Sequence, residues 1–217
     1  MILAAPVEQY LAGLMPEPDA VLAEMRHHAE RDGIPIVVPE AGALLGVLAR
    51  AAGARTVVEV GTAIGVSTLH LARAVGPGGR VISFEIDPER HGAARDYLTR
   101  AGVVDRTDLR LQDAAAGLRE LTEPLDMAFL DGLKADYPEH LELIVQRLRP
   151  GGVVAVDNVL LTGTVATGEA DGDWSDDHIE RMRAFNGRLV ADPRLDATVL
   201  PVGDGIAVAV VRTGDAG

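Results

Sequence analysis

The spacing of apolar residues changes character twice along the chain. Residues 18–31 and AGALLGVLARAAG (41–53) repeat apolar positions at three- and four-residue intervals, which predicts two helices, the second with Gly53 placed as a C-cap. DGIPIVVPE (32–40) between them is too rich in Pro and Gly to be helical throughout. From residue 56 short apolar runs alternate with helical patterns. TVVEVG (56–61), RVISFEI (80–86), DLRLQ (108–112), PLDMAFLD (124–131) and VVAVD (153–157) predict strands. GVSTLHLARAVG (65–76), DPERHGAARDYLTRAG (87–102), a short stretch after residue 112, and YPEHLELIVQRLRPGG (137–152) predict helices. Asp87 reads as an N-cap with Pro88 at the first helical position and Gly102 beyond the end.

Strands alternating with helices argue for an α/β protein with a parallel sheet and helices on both faces. The strands are continuous apolar runs, as strands buried on both faces should be. The end of the chain differs. A helix near 177–190 leads to ATVLPV (197–202), the turn Gly203-Asp204-Gly205, and IAVAVVR (206–212), which predicts an antiparallel hairpin. No internal repeat is present, and the tail TGDAG (213–217) is expected to be disordered.

At 217 residues the chain suits one domain. Its formal charge of −13 weighs against a nucleic-acid surface, which rests on clustered Lys and Arg. It has no cysteine, which excludes disulfides, zinc thiolate sites and thiol nucleophiles. The opening MILAAPVEQYLAGLM lacks the basic region of a signal peptide, and no apolar run approaches the roughly 18 residues of a membrane span. A soluble, cytoplasmic protein with no membrane partner is expected.

In open parallel α/β sheets, ligands bind outside the carboxyl ends of the strands. The first strand ends in E-V-G-T-A-I-G (59–65), a glycine turn running into a helix. Its G-x-x-x-G spacing lacks the third glycine of the dinucleotide fingerprint. The second strand ends in F-E-I-D, with Glu85 lying 20 residues past Gly65, where a carboxylate can accept both hydroxyls of a ribose. Glu85 or Asp87 could instead cap the next helix, and Asp87 suits that role better. Asp113 in Q-D-A (112–114) is either a helix cap or an acceptor for an adenine amino group, with the Ala114 backbone at the ring edge. The fourth strand ends in Asp131 and the fifth in Asp157-Asn158. Two carboxylates and an amide oxygen, with no His or Cys, suit a hard, largely hydrated cation such as Mg²⁺. Lys134 stands at the same rim. It is the only lysine in the chain, the other 19 of the 20 basic residues being arginine.

With these residues assembled, the sequence resembles the class I, metal-dependent O-methyltransferases of the catechol and caffeoyl-CoA type, which use S-adenosylmethionine. The resemblance spans about residues 30–212, including FNGRLVADPRL (185–195) and LPVGDGIAVAVV (200–211). It implies a Rossmann-like fold with a mostly parallel seven-stranded sheet, residues 1–40 being an N-terminal helical segment with a substrate and cofactor loop and 41–212 the core. It implies that Glu59, Gly61, Thr62 and Ser67 hold the methionine part of the donor, with Val37 near the sulfonium. It places Glu85 on the ribose, Asp113 and Ala114 at the adenine, and Asp131 against the cofactor as well as the metal. Asp131, Asp157 and Asn158 become ligands of a divalent cation, Mg²⁺ or else Mn²⁺ or Ca²⁺, and Lys134 the catalytic base. Only a lysine can be relieved of its proton there, since arginine stays protonated. The acceptor implied is a small hydroxylated aromatic or other vicinal-oxygen molecule, and the enzyme a homodimer.

Leu161 stands where plant members carry a tryptophan, which removes an aromatic clamp for a flat phenylpropanoid. The acidic, glycine-rich segment 162–178 reads as a mobile lid, in which Trp174 supplies either an aromatic surface or ordinary packing. Two other activities share parts of the pattern: methylation of hydroxyuridine in tRNA, disfavoured by charge, and NAD-dependent oxidoreduction, disfavoured by the missing glycine. A non-catalytic S-adenosylmethionine-binding protein would not need all three metal ligands and the lysine. Serine-hydrolase chemistry has no support, because no G-x-S-x-G is present and Ser67 sits inside the cofactor turn. The histidines form no ligand spacing, and His27-His28 reads as a solvated helix face.

Overall fold

Each apolar run from residue 56 onward becomes a strand in the computed structural model, which describes residues 3–213. The strands are β1 (Thr56–Val60), β2 (Arg80–Glu85), β3 (Thr107–Leu111), β4 (Leu125–Leu130), β5 (Leu148–Val156), β6 (Leu195–Leu200) and β7 (Ile206–Val211). They form one sheet in the order β3-β2-β1-β4-β5-β7-β6. Strands β1 to β5 pair in parallel, while β7 runs antiparallel to both β5 and β6. The α/β class, the parallel core and the closing hairpin therefore follow the sequence reading. The tail after Thr213 lies outside the described residues.

Nine α-helices surround the sheet among the described residues: α1 (Ala5–Gly13), α2 (Ala20–Asp32), α3 (Pro39–Ala51), α4 (Val66–Val75), α5 (Pro88–Arg100), α6 (Ala114–Glu120), α7 (Tyr137–Val145), α8 (Thr164–Thr167) and α9 (Asp176–Ala191). Alternate side chains of β1 enter different cores, as the two-residue period of a strand requires. Val57 packs with Leu45 of α3, Leu69 of α4 and Leu98 of α5. Val58 and Val60 pack with Leu118 of α6, Ile144 of α7 and Phe185 of α9. A fully buried leucine such as Leu45 or Leu69 stabilises the fold by about 1.5–3 kcal/mol. By contrast α1 buries none of its residues, and Tyr10 and Leu14 are exposed. No helix among the described residues is long and apolar enough to cross a membrane.

Helix starts follow their caps. Asp19 accepts from the N–H groups of Val21 and Leu22, and Asp87 from those of Glu89 and Arg90. Ser175 and His178 form a reciprocal capping box for α9. Two expectations are corrected. The helix predicted over 137–152 stops at Val145, because Leu148 already pairs with Leu125 in the sheet. Its apolar residues suit both periods, and the Pro150-Gly151-Gly152 break falls inside β5 as an irregularity in register. His28 is not on a solvated face: its Nδ1 is 2.9 Å from the Tyr97 hydroxyl and its Nε2 3.1 Å from Asp32, joining α2 to α5, while His27 is exposed.

Candidate active site

The strand order reverses at β1, which pairs with β2 on one side and β4 on the other, so the chain leaves the sheet in opposite directions there. A cavity of about 330 Å³ lies at the carboxyl ends of these strands, within the range of small-molecule sites. Gly61, Glu85, Asp113, Ala114, Asp131, Lys134, Asp157 and Asn158 all line it. Val37, Glu59, Thr62 and Ser67 are not among its lining residues, and all four are buried. Sequence reasoning missed Pro35, Ile36, Ile86, Gln112 and Leu133, which also face the cavity. Ile86 and Leu133 carried a signal in being apolar residues just past a strand end, and both are largely exposed.

Glu59 occupies a strand interior with no solvent exposure. Its Oε2 accepts from the hydroxyls of Thr68 and Ser83, each at 2.5 Å, while Oε1 is buried without a hydrogen-bond partner. Because the Ser83 proton goes to the carboxylate, Thr62 donates in its 2.5 Å contact with Ser83. Burial pushes the Glu59 carboxyl up to about 7, against the hydroxyls of Ser67, Ser83 and Thr68, and the Asp131 charge adds to the rise. Gly61 follows with φ of +95°, and a Cβ there would stand 2.3 Å from the Asp131 carbonyl oxygen. The turn therefore presses β1 against the end of β4, a contact only glycine permits.

At the end of β2, Glu85 is held by three backbone N–H groups. Ala63 donates to Oε2 at 2.7 Å, and Ile86 and Asp87 donate to Oε1 at 2.9 Å. The carboxylate is fixed on the cavity wall before any ligand arrives, and its remaining lone pairs are free for one. Ala63 reaches it with φ of +46°, a strained conformation of the kind found where a ligand is clamped. Asp87 caps α5 and Asp113 caps α6 through the Ala116 N–H, so both cap readings hold. Asp113 nevertheless lines the cavity beside Ala114.

At the ends of β4 and β5 the oxygens gather. Lys134 Nζ lies 3.1 Å from Asp131 Oδ1 and 3.2 Å from the Gly132 carbonyl. The Tyr137 ring sits beneath that ammonium at 5.4 Å, and its hydroxyl donates to the Asp157 carbonyl at 3.1 Å. Burial raises the Asp131 carboxyl, opposed by Lys134. Burial raises Asp157 to about 7, reinforced by the negative charge of Asp131. Among the described residues no group of three or more His, Cys, Asp and Glu side chains is placed to hold a metal ion. The candidate set is instead two carboxylates and the Asn158 amide. Burial disfavours the charged form of both carboxyls in the absence of a cation, and an all-oxygen donor set suits a hard divalent one. The residues present fit such an ion.

Segment 162–178 contributes no residue to the cavity wall. Trp174 packs partly against the core and meets the edge of His178, and Leu161 is buried in the core rather than facing the site. Arg90 and Lys134 line the cavity, and Arg181 and Arg188 line a smaller hollow on the other side of Lys134.

Comparison with known proteins agrees with this fold. A family model described as O-methyltransferase matches residues 16–212. A catechol O-methyltransferase of Niastella koreensis is 35% identical over 218 residues, covering 95% of this chain and 96% of that protein. An O-methyltransferase from Bacillus cereus, solved in complex with SAH, has a TM-score of 0.84 and 32% identity, covering 95% of this chain and 97% of that one. TomG from Streptomyces achromogenes, an O-methyltransferase of tomaymycin synthesis solved with SAM, has a TM-score of 0.82 and 33% identity over 96% of each chain. The chain belongs to the S-adenosylmethionine-dependent O-methyltransferase family.

Proposed function

We propose that the chain transfers the methyl group of S-adenosylmethionine to one hydroxyl of a vicinal dihydroxy, catechol-like acceptor held at a divalent cation. The observation carrying this reading is that Asp131, Lys134, Asp157 and Asn158 share one cavity with Glu85. Glu85 takes the ribose hydroxyls, and Asp113 and Ala114 flank the base. Glu59 Oε1, buried and unpartnered, is the acceptor left for the donor's ammonium.

Asp131, Asp157 and Asn158 would hold the cation, which would supply a lowered pKa to the acceptor hydroxyl. Lys134, in its neutral form, takes the hydroxyl proton on Nζ. The acceptor oxygen then attacks the methyl carbon in line, and the carbon–sulfur electrons stay on sulfur. Tyr137 braces this corner from below, through its ring under Lys134 and its hydroxyl on the Asp157 carbonyl.

The test is an S-adenosylmethionine assay with catechol, a monophenol, a phenylpropanoid thioester and hydroxyuridine-containing tRNA, each with Mg²⁺ and with excess EDTA. Turnover of a vicinal diol in Mg²⁺ and its loss in EDTA are expected, with Mg²⁺ restoring it. Full turnover in EDTA, or equal turnover of the monophenol, would refute the chelated-acceptor reading.

A further inference from the structure

The β6–β7 turn at Gly203-Asp204-Gly205 does more than reverse the chain. The Asp204 carbonyl accepts from the Leu160 N–H at 2.9 Å and the Gly205 carbonyl from the Val159 N–H at 3.0 Å. A Cβ on Gly205 would lie 2.4 Å from Leu160 Cγ, so the turn is seated directly on the loop that follows Asp157-Asn158. Asn158 itself has φ of +57° and donates its backbone N–H to Asp157 Oδ1 at 2.7 Å. Its side-chain Nδ2 faces Asp204 Oδ2 at 3.5 Å.

An asparagine amide has two ends of opposite chemistry, and nothing about its shape chooses between them. A carboxylate only accepts, so the end facing Asp204 must be the donor. The oxygen is thereby turned away from Asp204 and left for a cation. With the amide reversed, Oδ1 would meet the Asp204 carboxylate and an NH₂ group would meet the cation.

We propose that Asp204 is a positioning residue that sets the amide of Asn158 so that Oδ1 points to the divalent cation. The inference rests on the metal reading given above and goes beyond it, because Asp204 holds no ligand position. Partners that orient a metal ligand typically change affinity 10- to 100-fold when removed.

Calorimetric titration of Mg²⁺ into the metal-free protein tests it, with SAH affinity and thermal midpoint as controls. Asp204→Ala should weaken Mg²⁺ binding by about 10-fold or more, while Asp204→Asn, which still offers an acceptor oxygen, should stay within about 3-fold of wild type. SAH affinity should be unchanged in both. In the Asn158→Asp background there is no amide to orient, so Asp204→Ala and Asp204→Asn, which remove the same charge, should there change Mg²⁺ affinity equally. Wild-type affinity in Asp204→Ala overturns the inference, as does an equal loss in Asp204→Asn, which would assign the effect to charge. If wild type takes up no Mg²⁺, the metal reading falls and takes this one with it. If Asp204→Ala does not fold, the comparison of Asp204→Asn with wild type and the cycle in Asn158→Asp with Asp204→Ser decide the matter.

Discussion

Lys134 Nζ is bound to Asp131 Oδ1 at 3.1 Å across a single turn, so the chain's one lysine lies against a residue of the candidate cation site. An arginine could make that ion pair equally well but could not accept a proton. Lys134→Arg should therefore lower kcat/KM by about 100-fold or more while SAH affinity, measured by calorimetry, stays within about 3-fold of wild type, because a charge is kept at the rim. Normal turnover in that variant would remove Lys134 as the base.

Glu59 titrates at about 7 because burial disfavours its charged form. The folded protein thus keeps a proton that the unfolded chain releases above its ordinary 4.5. The stabilisation from this group is present below pH 4.5 and is lost as pH rises through 7. Glu59→Gln carries no such proton. Thermal midpoints of variant and wild type in the absence of ligand should diverge in the variant's favour from pH 5 to pH 8. Parallel curves would show that the carboxyl is not perturbed.

His70 has the opposite sign. Burial, helped by Arg73 and Arg26, lowers its pKa to about 4 from 6.5, and its buried Nε2 has no hydrogen-bond partner. The unfolded chain binds a proton that the folded one refuses, so stability is complete above pH 6.5 and falls as pH drops toward 4. Replacing the ring by His70→Gln should flatten the acid limb of the midpoint curve between pH 6.5 and pH 4. An unchanged acid limb would mean that another group governs it.

Gly61→Ala puts a methyl group 2.3 Å from the Asp131 carbonyl oxygen in a backbone conformation that L side chains resist. Together the overlap and the left-handed strain should cost about 2–4 kcal/mol, read as a lower midpoint in urea. SAH binding should fall with it, since relieving the overlap moves the ends of β1 and β4 apart. A variant that is both as stable and as tight as wild type would contradict the close approach.

How far the sequence reached depends on how local each feature is. The strands were legible because each is a short apolar run bounded by Gly, Pro or Asp, and the rim residues because each sits immediately past such a run. Asp157 and Asn158 are chain neighbours, so their joint placement needed no tertiary information. Leu148 shows the limit: its apolar spacing suits a helix and a strand alike, and pairing with Leu125 decides. Asp204 and Tyr137 were read only as a turn residue and a helix start, since their contacts with Asn158 and Asp157 cross 46 and 20 residues. The same reason explains Glu59, Thr62 and Ser67. Their side chains join a buried hydroxyl network around Glu59 and Ser83, which residue identity alone does not announce.

A chain with one lysine offers amine-selective reagents a single ε-amino group. Lys134 has a fifth of its side chain open, at the mouth of the cavity. Reductive methylation with isotopically labelled formaldehyde would therefore place a spectroscopic tag on this one side chain, with the amino terminus as the sole companion. The resonance would report from inside the site whether acceptor, donor or cation has arrived, without any residue being mutated.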